Sequence, residues 1–315
     1  MKALICGISG QDGGYLAKFL LGKGYEVWGT SRDAYGTRFD KLARLGIDGQ
    51  VRTLSMDPED FRSVLVALQR SEAEEVYYLA GQSSVALSFE EPVETMESIV
   101  LGTLNLLEAC RMNHRAVRLY CAGSSECFGN TMGAPAREET PFRPRSPYAV
   151  GKASAYWLVD NYREAYNLYA CTGVLFNHES PLRPSRFVTQ KIVSTAKRIA
   201  AGSAEKLVVG RLDVARDWGW APEYVEAMWL MLHQAAPRDF VIATGETHSL
   251  EEFVAEAFTA LGLDWRAHIE QDPRLFRPTD LQVSRADPSL AAQVLGWQAK
   301  FRMRDVVRGM LADRV

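Results

Sequence analysis

The chain has 315 residues, with 36 Lys and Arg against 39 Asp and Glu and a formal net charge of −3. That length buries a sizeable core as one large or two unequal domains, and the slightly acidic balance gives no footprint for nucleic acid or an anionic membrane surface. The apolar runs are strand-length, short of the ~18 residues a membrane helix needs, and Cys6, Cys110, Cys121, Cys127 and Cys171 lack the spacing of a disulfide framework or zinc site.

Met1 leads straight into a strand, Lys2 to Gly7, so no secretory signal is expected ahead of the fold and the expected location is cytoplasmic. Gly14 to Lys23 then places Leu16, Phe19 and Leu20 on one helical face. Further strands are expected at Tyr25 to Thr30, Val51 to Ser55, Glu75 to Ala80 and Arg118 to Ala122. A helix carrying Tyr148 and Lys152 should run to about Tyr166, ahead of a sixth strand over Cys171 to Phe176. Short apolar strands separated by helices pair in parallel with both sheet faces covered. The expected fold class is therefore α/β, a doubly wound parallel sheet of the dinucleotide-binding kind over residues 1–176. After Asn177 come a loop at Arg183 to Arg186, a helix at Lys191 to Ala201, and a mixed stretch rich in turns. Residues 177–219 and 246–315 are expected to form a smaller C-terminal substrate lobe, with the chain returning to the sheet at about 220–245.

Gly7-Ile-Ser9-Gly10-Gln11-Asp12-Gly13 follows a strand and opens a helix. Glycines there permit a tight turn and close backbone approach, with the helix N-terminus facing a pyrophosphate. At the end of the second strand, Ser31 stands where NAD-selective proteins carry an acid. Arg32 beside it suits a 2′-phosphate, so the expected cofactor is NADP, with NAD as the alternative. Asp57, after the third strand, is a candidate acceptor for the adenine amino group.

Tyr148 and Lys152 stand one helical turn apart, on one face. A tyrosine, with its ordinary pKa of ~10, acts as a base only when a cation stabilises its phenolate. Ser124 follows the fifth strand and is placed to bond the same substrate hydroxyl. Glu126, two residues on, adds a carboxylate that a simple dehydrogenase does not require. His114, His233, His248 and His268 show no ligand spacing, and no metal is expected.

The chain resembles the extended short-chain dehydrogenase/reductases and, within them, the GDP-mannose 4,6-dehydratases. The resemblance spans nearly the whole length. It rests on Gly7 to Gly13, Leu79-Ala-Gly-Gln-Ser-Ser-Val85, Ser124-Ser-Glu-Cys-Phe-Gly129 and Pro144-Arg-Ser-Pro-Tyr148. It continues in Phe176-Asn-His-Glu-Ser-Pro181, Phe187-Val-Thr, Arg216-Asp-Trp-Gly219, Tyr224-Val-Glu-Ala-Met-Trp229 and Phe276-Arg-Pro278. It implies a catalytic set of Ser124, Glu126, Tyr148 and Lys152, the last two also touching the cofactor together with Leu79. It implies Ser84, Asn177, Lys191, Arg216 and Arg277 as ligands of GDP-mannose or a related GDP-linked hexose or heptose. It further implies a homodimer through helices near Glu97 to Cys110 and Ala153 to Tyr166, or a homotetramer. Reductases acting on the 4-keto-6-deoxy product carry a similar Ser-Ser-Glu stretch and form the alternative. The chain departs from the family at Asp33-Ala-Tyr after Arg32, at Arg183-Pro-Ser, at Gln190 in place of arginine and at Ala215 in place of lysine. Ser124 replaces threonine and keeps the hydroxyl.

Overall fold

A computed structural model describes residues 1–276 and 278–315. The chain opens with β1 (Lys2–Cys6), α1 (Gln11–Gly22), β2 (Glu26–Ser31), α2 (Asp40–Arg44), β3 (Arg52–Ser55), α3 (Phe61–Ser71) and β4 (Glu75–Tyr78). Two short helices, α4 (Val85–Glu90) and α5 (Pro92–Met96), run through a π-helical stretch (Glu97–Leu101) into α6 (Gly102–Met112). Next come β5 (Arg118–Ala122), α7 (Pro147–Tyr166) and β6 (Tyr169–Leu175). The remainder holds β7 (Asn177–Glu179), α8 (Val188–Ala200), β8 (Leu207–Val209), β9 (Ala215–Arg216), β10 (Trp218–Trp220) and α9 (Ala221–Leu232). It closes with β11 (Phe240–Ile242), β12 (His248–Ser249), α10 (Leu250–Thr259), β13 (Ile269–Gln271), α11 (Ser289–Leu295) and α12 (Met303–Leu311).

Seven parallel strands form one sheet in the order β3-β2-β1-β4-β5-β6-β11. The winding reverses between β1 and β4, and ligands of open α/β sheets bind in the crevice beyond the strand ends at that point. β4 reads Glu-Val-Tyr-Tyr and is buried along its whole length, because helices cover both faces. On one face Leu16 and Leu20 of α1 pack with Tyr224 and Met228 of α9. On the other, Val64 and Leu68 of α3 pack with Leu106 and Leu107 of α6 and Val159 of α7.

β6 begins two residues before the expected Cys171. Asn167, at φ 53°, ends α7 in a left-handed cap and lets the chain extend at once. The return to the sheet is made by α9 and by β11, which pairs with β6 from Phe240 against Gly173 to Ile242 against Leu175. A second core joins Ile192 and Val193 of α8, Phe253 of α10 and Val307 of α12 around Trp218. Three two-stranded pairs, β10–β7, β12–β9 and β13–β8, accompany it. Among the described residues no helix is long and apolar enough to cross a membrane.

Candidate active site

The glycine turn is built from contacts that tolerate no side chain. Gly7 sits at φ +95°, and a Cβ there would lie 3.0 Å from the backbone of Leu79 and Ala80 at the end of β4. The Gly10 N–H donates to Gly7 O at 3.0 Å, and a Cβ on Gly13 would stand 2.4 Å from that same oxygen. α1 therefore starts flush against the turn. No side chain caps its first N–H groups, which leaves them available to an anion.

A cavity of about 600 Å³ opens over this turn, lined by Gly7, Ser9, Gly10, Gln11, Asp12 and Gly13 and, further along, by Arg32 and Leu79. The glycine cradle and the uncapped helix end fit a dinucleotide. Arg32, at the far end, is mostly exposed and forms a loose pair with Glu94 at 3.5 Å. Asp33 turns back on its own loop, its Oδ1 accepting from Tyr35 N at 3.0 Å and Gly36 N at 2.9 Å. Asp57 does not line the cavity. Its Oδ1 accepts from Glu59 N at 3.1 Å, and its neighbours Met56, Pro58 and Glu59 form the wall instead.

α7 starts with Ser146, whose Oγ accepts from Ala149 N at 3.1 Å, and with Pro147 in its first turn. This cap fixes Tyr148 beside the end of β5, with Lys152 one turn on. Ser124 Oγ accepts from Glu126 N at 3.3 Å, and its hydroxyl is close enough to the Tyr148 phenol to favour the phenolate. Burial pushes the Tyr148 phenol up to about 12, against the pull of the Ser124 hydroxyl and of the Arg183 charge. Burial also lowers Lys152, whose Nζ donates to Ala122 O at 2.8 Å. The half-buried Glu126 shares the Ser124 turn, and its charge acts on Tyr148.

Residues 4–310 match the sequence family described as GDP-mannose 4,6 dehydratase. The chain belongs to that family. GDP-mannose 4,6 dehydratase 1 of Arabidopsis thaliana is 46% identical over 99% of this chain and 89% of its own length. The GDP-mannose 4,6-dehydratase of Vibrio cholerae is 41% identical over 99% of this chain and 93% of its own. Among solved structures, the UDP-glucose 4-epimerase of Thermus thermophilus in complex with NAD matches at 29% identity and a TM-score of 0.84, over 98% of this chain and 99% of its own.

In this dehydratase-family chain the Asn-His-Glu-Ser segment does structural work for the turn. His178 Nε2 lies 2.9 Å from Asp12 Oδ2 and Nδ1 lies 2.7 Å from Phe176 O. Both ring nitrogens face acceptors, an arrangement that favours the protonated ring. Burial alone would lower His178, but the Asp12 carboxylate outweighs it and the ring is raised. Burial would likewise raise Asp12, and the His178 charge and hydrogen bond bring it down to about 2. Gln11 completes the link, donating to His178 O at 3.1 Å and accepting from Ser180 Oγ at 2.8 Å.

The substrate candidates are spread out. Ser84 caps α4, accepting from Leu87 N at 3.3 Å. Asn177 opens β7, and Lys191 lies half-buried on α8. Arg216 is buried, donating to Leu281 O at 2.7 Å and pairing with Asp280 at 3.1 Å. Arg277 lies outside the described residues. Lys41, Arg183, Arg186 and Phe187 also line the cavity. Arg183, Arg186 and Phe187 share the loop at which the sequence departs from the family, and Lys41 reaches the turn from a separate segment with no local signal that ties it there.

Proposed function

We propose that this protein is a sugar-nucleotide 4,6-dehydratase, a hydro-lyase that converts GDP-mannose to GDP-4-keto-6-deoxymannose. Besides family membership, the observation that carries this reading is the Glu126 carboxylate on the turn where Ser124 meets Tyr148. C4-epimerases share the fold but have no step that needs that carboxylate.

A nicotinamide dinucleotide held at the glycine turn of Gly7, Gly10 and Gly13 would supply the hydride acceptor for C4, the hydride donor for C6 and, when oxidised, a positive charge beside the phenol. Tyr148 removes the C4 hydroxyl proton as the carbonyl forms, and Ser124 donates to the same oxygen. The Lys152 ammonium favours the phenolate across one helical turn. Glu126 takes the C5 proton, acidified by the new ketone, and delivers it to the departing C6 hydroxyl, which leaves as water. A proton returned at C5 replaces the one lost from O4, so the substrate loses one water in all and no net oxidation occurs. Positioned acid–base groups of this kind contribute roughly 10²–10⁴-fold each. Asn177, Lys191, Arg216 and Arg277 serve as ligands of the GDP-sugar in this reading, with Ser84 near the sugar.

NADP is the proposed cofactor, because the loose Arg32–Glu94 pair yields to a dianionic 2′-phosphate. NAD is the second reading, favoured by Glu59, Glu91 and Glu94 on the same end of the cavity, where carboxylates would accept from ribose hydroxyls. Arg32→Ala should weaken NADP about tenfold and leave NAD unchanged if the phosphate is recognised there. Equal effects on both would remove Arg32 from that role. A homodimer through α6 and α7 belongs to the same reading, since Met112, Trp157 and Tyr166 stand exposed there. A tetramer is the larger assembly that sedimentation would distinguish.

The test is mass spectrometry of GDP-mannose with catalytic NADP, with reduced-cofactor absorbance followed in the same tube. The expected product is lighter by one water and absorbance does not accumulate. Untouched GDP-mannose, with steady NADPH consumption on the 4-keto substrate, would identify a reductase instead.

A further inference from the structure

Three cations from two separate stretches of chain face the cavity above the glycine turn: Lys41 of α2, and Arg183 and Arg186 of the loop between β7 and α8. Protein groups hold each of them. Lys41 Nζ donates to Ser9 O at 2.8 Å, within the turn itself. Arg183 Nε lies 3.2 Å from Oε2 of buried Glu179, which also accepts from Thr189 Oγ1 at 2.7 Å. The Phe187 ring is a common platform, 3.8 Å from the Arg183 guanidinium and 5.1 Å from that of Arg186. Arg186 has no ion-pair partner among the described residues.

Gathering like charges is a standing cost. Lys41 shows it: burial and then the Arg186 charge work against its ammonium, with Asp12 opposing. A polyanion entering the cavity turns that cost into attraction. The open N-terminus of α1 faces the same space, so the matching group is a diphosphate.

We propose that Lys41 and Arg186, beside Arg183, form a cationic strap over the diphosphate of the bound dinucleotide and set how long the cofactor stays. This rests on the dehydratase reading above and gives the strap its use. A cofactor that takes up a hydride and returns it within one turnover has no need to leave between turnovers. The Lys41 bond to Ser9 ties the strap to the cofactor's diphosphate rather than to that of the sugar nucleotide.

The test is release of NADPH from the full chain, followed by loss of energy transfer from tryptophan after a chase with excess NADP. Arg186→Gln and Lys41→Gln should each speed release about tenfold. Added salt should speed release from the wild type more than from the double variant, because screening acts on the charges the variant lacks. Arg186→Lys should retain most of the slow release, which a purely structural guanidinium would not allow. Release within twofold of wild type in both Gln variants overturns the strap. So does weakened GDP binding with NADPH release unchanged, which would assign the cations to the substrate diphosphate. If the wild type binds no nicotinamide dinucleotide, the dehydratase reading itself falls, and the strap with it.

Discussion

Alanine at Gly13 and at Gly22, near the two ends of α1, should act in opposite directions. A Cβ on Gly13 would lie 2.4 Å from Gly7 O, 2.8 Å from Ile8 Cα and 3.1 Å from Gly7 C. Comfortable carbon contacts are about 3.5–4.0 Å, and all three neighbours are backbone with no rotamer to yield. Relief requires α1 to move off the turn by roughly 1 Å, so the cost belongs at the upper end of the ~1–3 kcal/mol typical of overpacking. At about 2 °C per kcal/mol for a chain of this size, the melting temperature should fall by roughly 4–6 °C. The same shift carries the open N–H groups away from the diphosphate, and NADPH affinity should fall at least about tenfold. Gly22 has nothing within 4 Å of its would-be Cβ. Alanine there should stabilise by about 0.4–1 kcal/mol through helix propensity and unfolded-state entropy, with NADPH binding unaltered. Calorimetry and NADPH titration of both variants supply the readouts. Wild-type melting and affinity in Gly13→Ala would refute the closed-turn geometry, and an equal loss in Gly22→Ala would refute its localisation.

Tyr148→Phe should keep nicotinamide binding, measured by fluorescence, and lose turnover by about 10³-fold or more; surviving activity would place the base elsewhere. Glu126→Gln should stall after C4 oxidation, seen as reduced-cofactor absorbance that builds and does not decay. Unchanged product formation would remove Glu126 from the elimination. Asp12→Asn should cost on the order of 2 kcal/mol, since the lowering of Asp12 to about 2 reflects, against the burial that opposes it, its pairing with His178 together with Gln11 and Arg183. The cost should be pH-dependent: the Asp12 share is present above about pH 4 and lost as pH falls towards 2. The His178 share is full below about pH 6.5 and lost as pH rises through its raised folded value. Urea titrations of wild type and variant should therefore differ most between those limits, and a pH-independent difference would contradict the ion pair.

The sheet was legible because its signals are local. Runs such as Glu75-Val-Tyr-Tyr and the strand–glycine–helix order announce parallel strands and a phosphate turn without reference to distant residues. β11 is only Phe240-Val-Ile; the return to the sheet at about 220–245 was expected, but the choice of β6 as its edge partner depends on the whole fold. The π-helical stretch Glu97–Leu101 was hidden inside an ordinary helical pattern. Its register is set from outside, by Tyr78 OH donating to Ser98 O at 3.0 Å and by Ile99, about 3.5 Å from where a Gly151 Cβ would lie.

The clustering of the candidate catalytic residues was readable for the same reason: Ser124 and Glu126 share one turn, Tyr148 and Lys152 one helical face. What escaped was convergence from far apart. Lys41, Arg183 and Arg186 carry no spacing that ties them to Ser9, yet all border the same cavity. Asp57 was the expected adenine-end residue, and its neighbours Met56, Pro58 and Glu59 line the cavity after β3. Arg216 illustrates the converse, since its hydrogen bonds to Leu281 O and its pair with Asp280 depend on a segment brought back by the C-terminal lobe.

The central claim is an internal redox cycle coupled to loss of water. GDP-mannose deuterated at C4 tests it most directly, with unlabelled NADP in excess and the product read by mass spectrometry and deuterium NMR. The account predicts a product lighter by one water, with the deuterium moved to C6 and none in the free cofactor pool. Deuterium left at C4, or carried away on NADPH, would contradict it.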